Sequence, residues 1–135
     1  MQSFKYLHIM QNEKFIGSFI EFINKHFNSS EHFFIILGGL PESKHTIPQQ
    51  NNILVLDSKF GRKINLVKLS KILNPYFKEA QKVIIHSLFV ANILDFLFLN
   101  QKYLQKSYWV IWGGDLYDYT RKADSLRKRF VIFRK

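Results

Sequence analysis

His86 stands where an apolar run ends, in the stretch KVIIHS (82–87). An imidazole at such a position can donate a hydrogen bond to a phosphate or a sugar hydroxyl, and it can transfer a proton near neutral pH. It can equally be a buried polar side chain that closes a strand with its hydrogen bonds satisfied inside the protein. The sequence leaves both roles open for His86, and Ser87 beside it is a neighbouring candidate for contact with a ligand.

A second candidate lies in WGGDLY (112–117), where two glycines precede an acid. Because they lack a Cβ, Gly113 and Gly114 let the backbone turn sharply and approach a ligand closely. The carboxylate of Asp115 can accept backbone N–H groups as the N-cap of the next element. It can also bind hydroxyls or act as a general base. Caps are common and general bases are rare, so the residue types favour the cap.

The patterns of several other site classes are missing from the sequence. The loop after the first apolar run reads QNEKFIG (11–17) instead of G-x-G-x-x-G, no P-loop is present, and no G-x-S-x-G marks a hydrolase nucleophile. The five histidines are scattered, with no pair at metal-ligand spacing on one helix face. The chain has no cysteine, which excludes disulfides and thiolate ligands. We therefore expect neither a metal nor a cofactor.

Apolar periodicity predicts strands that alternate with helices. Short runs rich in Val, Ile, Leu and aromatic residues predict five strands, at 4–10, 32–37, 52–57, 82–87 and 107–112. Stripes of 3.6-residue period predict helices, at about 12–27, 65–77 and 88–100, and the basic segment after Tyr119 begins a fourth.

Three of these elements carry expectations about burial. The run 32–37 is apolar throughout, which predicts a strand buried on both faces. The helix at 88–100 is apolar on most sides and should be deeply packed. The aromatic residues of 107–112 should alternate across the two faces of a covered strand.

Strands joined by crossover helices favour a mostly parallel sheet. We predict an α/β fold, a Rossmann-like domain of three α/β/α layers with about five strands, over residues 1–135. Ligands of such sheets bind outside the carboxyl ends of the strands. That edge should carry four loops, after Met10, at Gly38-Gly39, at His86-Ser87 and at Gly113-Gly114-Asp115.

The net charge of +10 is concentrated near the end of the chain. Residues 121–135 contain seven Lys or Arg and one Asp, a net of +6, whereas the other 120 residues carry +4. This basic segment suits an anionic membrane surface or a phosphate-bearing ligand, although a solvated helix face is an open alternative. The candidate anion-binding and membrane-binding residues are Arg121, Lys122, Arg127, Lys128 and Arg129.

The apolar run 87–100 is too short to span a bilayer and contains Asp95. The first ten residues do not show the pattern of a secretory signal. We therefore expect a chain that is soluble or peripheral to a membrane.

Several stretches together resemble one family of enzymes. WVIWGGDLY (109–117) resembles the segment Trp/His-x-Ile-Trp-Gly-x-Asp-Leu-Tyr of the bacterial 4-alpha-L-fucosyltransferases, which transfer 4-acetamido-4,6-dideoxy-D-galactose to lipid II of enterobacterial common antigen. YLHIM (6–10), FGRKINL (60–66) and VIIHSLF (83–89) are similar, in the same order, to further stretches of that family. The Trp-Gly-x-Asp turn also resembles that of many capsule and O-antigen glycosyltransferases.

The resemblance implies a GT-B glycosyltransferase, in which two Rossmann-like domains face each other across a cleft. The N-terminal domain of such enzymes mainly receives the acceptor, and the C-terminal domain holds most of the nucleotide-sugar. We therefore expect 1–135 to be an acceptor-side domain that lacks its C-terminal nucleotide-sugar domain and is inactive alone. The site residues are then Asp115 and His86 in catalysis, and Gly113, Gly114, Ser87 and Tyr117 in substrate binding.

The partners implied by the resemblance are a nucleotide-sugar donor and a lipid-linked or polysaccharide acceptor, with no metal. The basic segment would hold the chain, as a cytoplasmic peripheral protein, on the anionic inner face of the bacterial plasma membrane. The alternative is a non-enzymatic basic Rossmann-like module that binds a partner protein, such as a separate catalytic domain, or nucleic acid. Nucleic acid is less favoured, because the sequence lacks an RNA-binding aromatic signature and a helix-turn-helix pattern.

Overall fold

The computed structural model describes residues 3–38, 50–56, 66–87 and 91–111. Strands and helices alternate along this part of the chain. The strands are β1 (Tyr6–Gln11), β2 (His32–Leu37), β3 (Ile53–Leu56), β4 (Lys82–His86) and β5 (Ser107–Val110). The α-helices are α1 (Ile16–His26), α2 (Leu66–Glu79) and α3 (Ala91–Leu99), with short 3-10 helices at Ser29–Glu31 and Gln101–Lys106.

The five strands form one sheet in the order β3-β2-β1-β4-β5, and every neighbouring pair is parallel. This confirms the predicted α/β, Rossmann-like fold class. The chain builds the sheet outward from β1, first through β2 to β3 and then through β4 to β5. The order reverses between β1 and β4, so the carboxyl ends of these two strands mark the crevice where open α/β sheets bind ligands.

Side chains alternate between the two faces of the sheet, and each face has its own core. On one face α1 packs against β1 and β2, with a core of Met10, Ile16, Ile20, Ile23, Phe34 and Ile36. On the other face, α2 and α3 pack against strands β1 to β4. Leu73, Phe77 and Phe96 are fully buried in the core between these helices and the sheet. The result is three layers, with the sheet between α1 and the other two helices.

The helix boundaries differ from the predicted ones by a few residues. The first helix begins at Ile16 and not near residue 12, and Phe15 precedes it without a side-chain capping bond. The second helix continues past Phe77 to Glu79, even though Pro75 lies inside it. A proline there removes one backbone hydrogen bond, and the buried residues Leu73 and Phe77 on either side still hold the helix against the sheet.

Burial confirms one expectation and corrects two. All six residues of β2 are buried, as predicted. The deep packing expected for α3 is wrong, because Phe98 and Leu99 are 73% and 63% exposed while only Ile93, Phe96 and Leu97 are buried. The covered strand expected at 107–112 is wrong over its described part. In β5, which pairs only with β4 among the described strands, Tyr108 and Trp109 are both exposed.

No helix in the described ranges is long and apolar enough to cross a membrane.

Candidate functional site

Three buried histidines meet on the α1 face of the sheet. His8 lies in the middle of β1 and pairs with Phe34 of β2 on one side and with Ile84 of β4 on the other. His32 lies two residues before Phe34, and His86 lies two residues after Ile84. Both are therefore diagonal neighbours of His8 on the same face, at a spacing that large side chains bridge. The three rings are only 2%, 7% and 4% exposed in the order His8, His32, His86.

Ring nitrogens join the three side chains into a chain. Nδ1 of His8 lies 3.1 Å from Nε2 of His86, and Nε2 of His8 lies 2.9 Å from Nδ1 of His32. Both nitrogens of His8 are thus engaged by another imidazole. Each contact is a hydrogen bond in which one ring donates its N–H and the other accepts with its lone pair.

Aromatic rings enclose this chain. His8 stacks on Phe34 at 4.8 Å between ring centroids, and His32 stacks on Tyr6 at 4.8 Å. Phe19 of α1 points its ring edge-on at both His8 and His86, at 5.8 and 4.8 Å. These contacts exclude water from the rings, so the surroundings favour neutral imidazole over imidazolium.

The pKa values of the three histidines are lowered for that reason. Burial, together with smaller contributions from charge on His86 and His32, lowers the pKa of His8 to about 2. Burial also lowers the pKa of His86 to about 4. The pKa of His32 is lowered by burial, against the carboxylate of Glu31, which raises it. All three rings are therefore neutral at pH 7, and each carries one N–H and one lone pair.

A cavity of about 550 Å³ lies beside the histidines. Its walls come from the sheet, from α1 and from the 3-10 turn before β2, and they are mostly apolar. The lining residues are Tyr6, His8, Phe19, Ile23, Phe27, Asn28, Glu31, His32, Ile84, His86 and Val110. Asn28 and Glu31 supply polar groups to its wall near the start of β2, while His86 and Val110 line it at the carboxyl ends of β4 and β5.

Two polar side chains at the carboxyl edge of the sheet have buried atoms that lack a partner in the part of the chain that the structure describes. Asn12 follows β1 and Ser87 follows β4, and the two strands are neighbours. Both amide atoms of Asn12 and the hydroxyl of Ser87 are buried and find no hydrogen-bond partner among the described residues. Leaving such a group unpaired costs about 1–3 kcal/mol. Groups like these are explained when a ligand supplies the missing partners.

Backbone geometry at the same edge is unusual in two places. Ser87 has a φ of 69°, in the left-handed region that non-glycine residues rarely adopt. Its backbone N–H bonds the carbonyl of Val110 at 3.1 Å, so the turn is tied to β5. Gly38 follows β2 with a φ of 80°, and a Cβ at that position would meet open space. Glycine at position 38 is therefore explained by the positive φ of the backbone, and not by a close neighbour that would exclude a Cβ.

The structure brings together part of the predicted site. His86 ends β4 and Ser87 follows it at the carboxyl edge, as predicted. His86 is also a buried residue bonded within the protein, which was the other role left open for it. The remaining predicted residues lie outside the described part of the chain. These are Gly113, Gly114, Asp115 and Tyr117, and the basic residues Arg121, Lys122, Arg127, Lys128 and Arg129.

Sequence reasoning missed His8, His32 and Asn12. A search for metal-ligand spacing on one helix face does not detect these histidines, because they come together across neighbouring strands. One signal was available, because His8 is a polar residue at the centre of the apolar run YLHIM and must find a partner if that run is a buried strand. The sequence predicts a helix that begins near Asn12, but α1 begins four residues later.

Among the described residues, no group of three or more His, Asp or Glu side chains is arranged to hold a metal ion. In the histidine chain, the nitrogens of His8 point at other imidazoles and not at a common centre.

Comparison with known proteins adds no relative to these observations. No protein-family model matches the chain, and neither a curated protein nor a solved structure matches it.

Proposed function

We propose that this chain is the acceptor-side domain of a glycosyltransferase, which moves a sugar from a nucleotide-sugar to a lipid-linked or polysaccharide acceptor in cell-surface glycan synthesis. The observation that carries the proposal is a set of buried polar groups on Asn12 and Ser87, at the carboxyl edge near His86, that have no hydrogen-bond partner within the described ranges. An amide and a hydroxyl together offer donors and acceptors, which suits the hydroxyl groups of a sugar. The resemblance of WVIWGGDLY, whose first two residues are the last two of β5, supports the same class.

Each of these groups has a separate role in the proposal. Asn12 and Ser87 hold sugar hydroxyls of the acceptor, and His86 orients the hydroxyl that attacks the donor or takes its proton. The enzyme needs no metal, and the protein acts by positioning and by stabilising the departing diphosphate. Asp115, Tyr117 and the two glycines before Asp115 complete the site, as the resemblance implies.

An NMR titration tests the acceptor site without requiring turnover. The ligand is a pyrophosphate-linked amino sugar on a short, soluble isoprenoid chain, and the control ligand is the same isoprenoid pyrophosphate without the sugar. We expect the backbone amide signals of Asn12, His86 and Ser87 to shift with the sugar-bearing ligand only. Equal shifts with both ligands, or no shift up to about 10 mM, would contradict the proposal.

A pair of serine variants sharpens the test. Ser87→Ala should weaken sugar binding about fivefold, since it removes one hydrogen bond worth about 1 kcal/mol. Ser18→Ala is the matched control, because Ser18 is exposed on α1 and should leave the affinity unchanged.

Peripheral association with the cytoplasmic face of the inner membrane is part of the same proposal. It is supported by the basic segment 121–135, whose charge suits anionic lipid headgroups. Flotation with anionic and neutral liposomes tests it, with binding expected for the anionic vesicles alone. Equal, negligible flotation with both would remove the membrane from the proposal and leave the sugar site untouched.

A partner-binding module is the second candidate, and an observation on α3 favours it. Leu94 and Phe98, one helical turn apart, are 44% and 73% exposed, and Leu99 beside them is 63% exposed. An apolar helix face of this kind suits a second protein. Pull-down from the native host with wild type and with Phe98→Ser tests it, and a specific partner lost in the variant is the expected result. The same proteins recovered with both would count against this candidate.

A further inference from the structure

The histidine chain runs from the amino-terminal edge of the sheet to its carboxyl edge, and both of its hydrogen bonds have the same orientation. His32 is the first residue of β2 and His86 the last residue of β4, while His8 lies between them in β1. At both links an Nδ1 faces an Nε2, from His32 to His8 at 2.9 Å and from His8 to His86 at 3.1 Å. Each link therefore joins Nδ1 of one ring to Nε2 of the next, in the order His32, His8, His86.

Two hydrogen arrangements satisfy both links with neutral rings. In the first, all three rings carry their hydrogen on Nε2, so that His86 donates to His8 and His8 donates to His32. In the second, all three carry it on Nδ1, and both bonds reverse. A mixed arrangement would place two lone pairs or two hydrogens face to face at one link. The three tautomers are thus coupled, and they change together.

Passing from the first arrangement to the second moves one proton across the sheet. A proton enters at Nδ1 of His86, the Nε2 proton of His86 passes to Nδ1 of His8, and the Nε2 proton of His8 passes to Nδ1 of His32. The proton on Nε2 of His32 leaves. One proton enters and one leaves, and every ring is neutral before and after.

The surroundings suit this neutral transfer. Burial opposes a lasting imidazolium at any of the three positions. The other titratable groups that line the cavity are Tyr6 of β1 and Glu31 of the 3-10 turn, and Lys5 binds the Glu31 carboxylate from outside the cavity. On the α1 side the lining residues are Phe19, Ile23 and Phe27, which carry no charge. A half-buried carboxylate at the His32 end is a suitable receiver for the departing proton.

We propose that His32, His8 and His86 form a proton relay, which carries a proton from the end of β4, at the carboxyl edge of the sheet, to His32 at the start of β2. His8 and His32 act through His86 and are positioning residues for the chemistry there. The relay rests on the proposed function only for the source of its proton, the acceptor hydroxyl that attacks the donor sugar. Its effect would be to let His86 take up the hydroxyl proton at Nδ1 without forming a buried charge. All three rings then carry their hydrogens on Nδ1, and the reverse transfer restores the first arrangement.

Solvent exchange of the His86 ring proton tests the relay in the absence of any substrate. The protein is labelled with ¹⁵N-histidine, and the exchange rate of the ring N–H with water is measured by NMR. We expect His32→Gln and His8→Gln to slow this exchange about tenfold or more, because exchange then requires a buried imidazolium or an opening of the fold. His26→Gln is the matched control, since His26 is exposed on α1 and outside the chain, and it should leave the rate unchanged.

The ring ¹⁵N shifts give a second, independent measurement. The relay requires His8, His32 and His86 to show the same tautomer, or the same mixture of two. His32→Gln should change the tautomer ratio of His86 through His8, which bonds both rings, an effect that a purely structural role would not produce. If His8→Gln fails to fold, His32→Gln at the edge of the sheet still decides the question.

Two results would overturn the relay, namely unchanged exchange in a folded His32→Gln protein or different tautomers among the three rings. Neither measurement involves a sugar, so failure of the acceptor titration leaves them interpretable. Normal relay behaviour with no sugar binding would mean that the proton comes from another source.

Discussion

Acidification should destabilise the fold through the buried histidines, and the structure sets the size of the effect. The pKa of His8 falls to about 2 and that of His86 to about 4 on folding, against about 6.5 in the unfolded chain. Below pH 6.5 the unfolded state therefore binds protons that the folded state refuses. Stability is full above that pH and falls as the pH drops toward the folded-state values.

The loss can be estimated between about pH 7.5 and about pH 5.5, where carboxylates stay ionised. Each histidine that stays neutral in the fold costs about 1.4 kcal/mol over this range, so His8 and His86 together cost about 3 kcal/mol. The lowered pKa of His32 adds to the loss in the same direction. With a urea m-value of about 2 kcal/mol/M, the midpoint should fall by about 1.5 M.

Urea unfolding followed by circular dichroism at the two pH values measures this loss. His8→Phe, which suits the aromatic surroundings of His8, should reduce the pH-dependent loss by about half, because one of the two strongly shifted groups is gone. His26→Gln removes an exposed histidine and should keep the wild-type loss. The reasoning is refuted if the wild type loses less than about 1 kcal/mol, or if His26→Gln reduces the loss as much as His8→Phe does.

Two further substitutions test the carboxyl edge and the larger core. Ser87→Gly should stabilise the chain by about 1 kcal/mol, since it relieves the left-handed backbone and removes a buried hydroxyl that has no partner among the residues described. A lower melting temperature would show that the hydroxyl has a partner inside the fold. Phe96→Ala should destabilise the chain by about 3–5 kcal/mol in urea unfolding, because Phe96 is fully buried. Phe98→Ala on the same helix should change stability by less than about 0.5 kcal/mol, because Phe98 is 73% exposed. Equal losses for the two phenylalanines would mean that α3 packs differently.

The fold class could be predicted from the sequence because its signal is local. A continuous apolar run predicts a buried strand and a 3.6-residue stripe predicts a helix, and both patterns come from residues close together in the chain. The strand at 32–37 was predicted to the residue. Alternation of strands and helices then leaves few topologies besides a parallel sheet.

Burial of single elements could not be predicted in the same way. The sequence of α3 is apolar almost throughout, but a helix buries only the side that meets another layer, here through Ile93, Phe96 and Leu97. Tyr108 and Trp109 likewise show β-propensity, whereas their exposure depends on which other elements cover β5. The burial of α3 and the exposure of β5 both depend on how the layers pack together, and not on the sequence of either segment alone.

Part of the candidate site can likewise be predicted from local sequence, and part of it depends on the tertiary structure. From the sequence alone, one can predict the strands and helices, the position of His86 and Ser87 at the end of a strand, and a ligand site at that end. Only the tertiary structure joined His86 to His8 and His8 to His32, which lie 78 and 24 positions apart in the chain. Strand order makes β1 the neighbour of both β2 and β4, and register places the three rings on adjacent diagonals of one face. Strand order and strand register cannot be predicted from any single stretch of sequence. Both depend on how segments that are distant in the chain bury their apolar faces together.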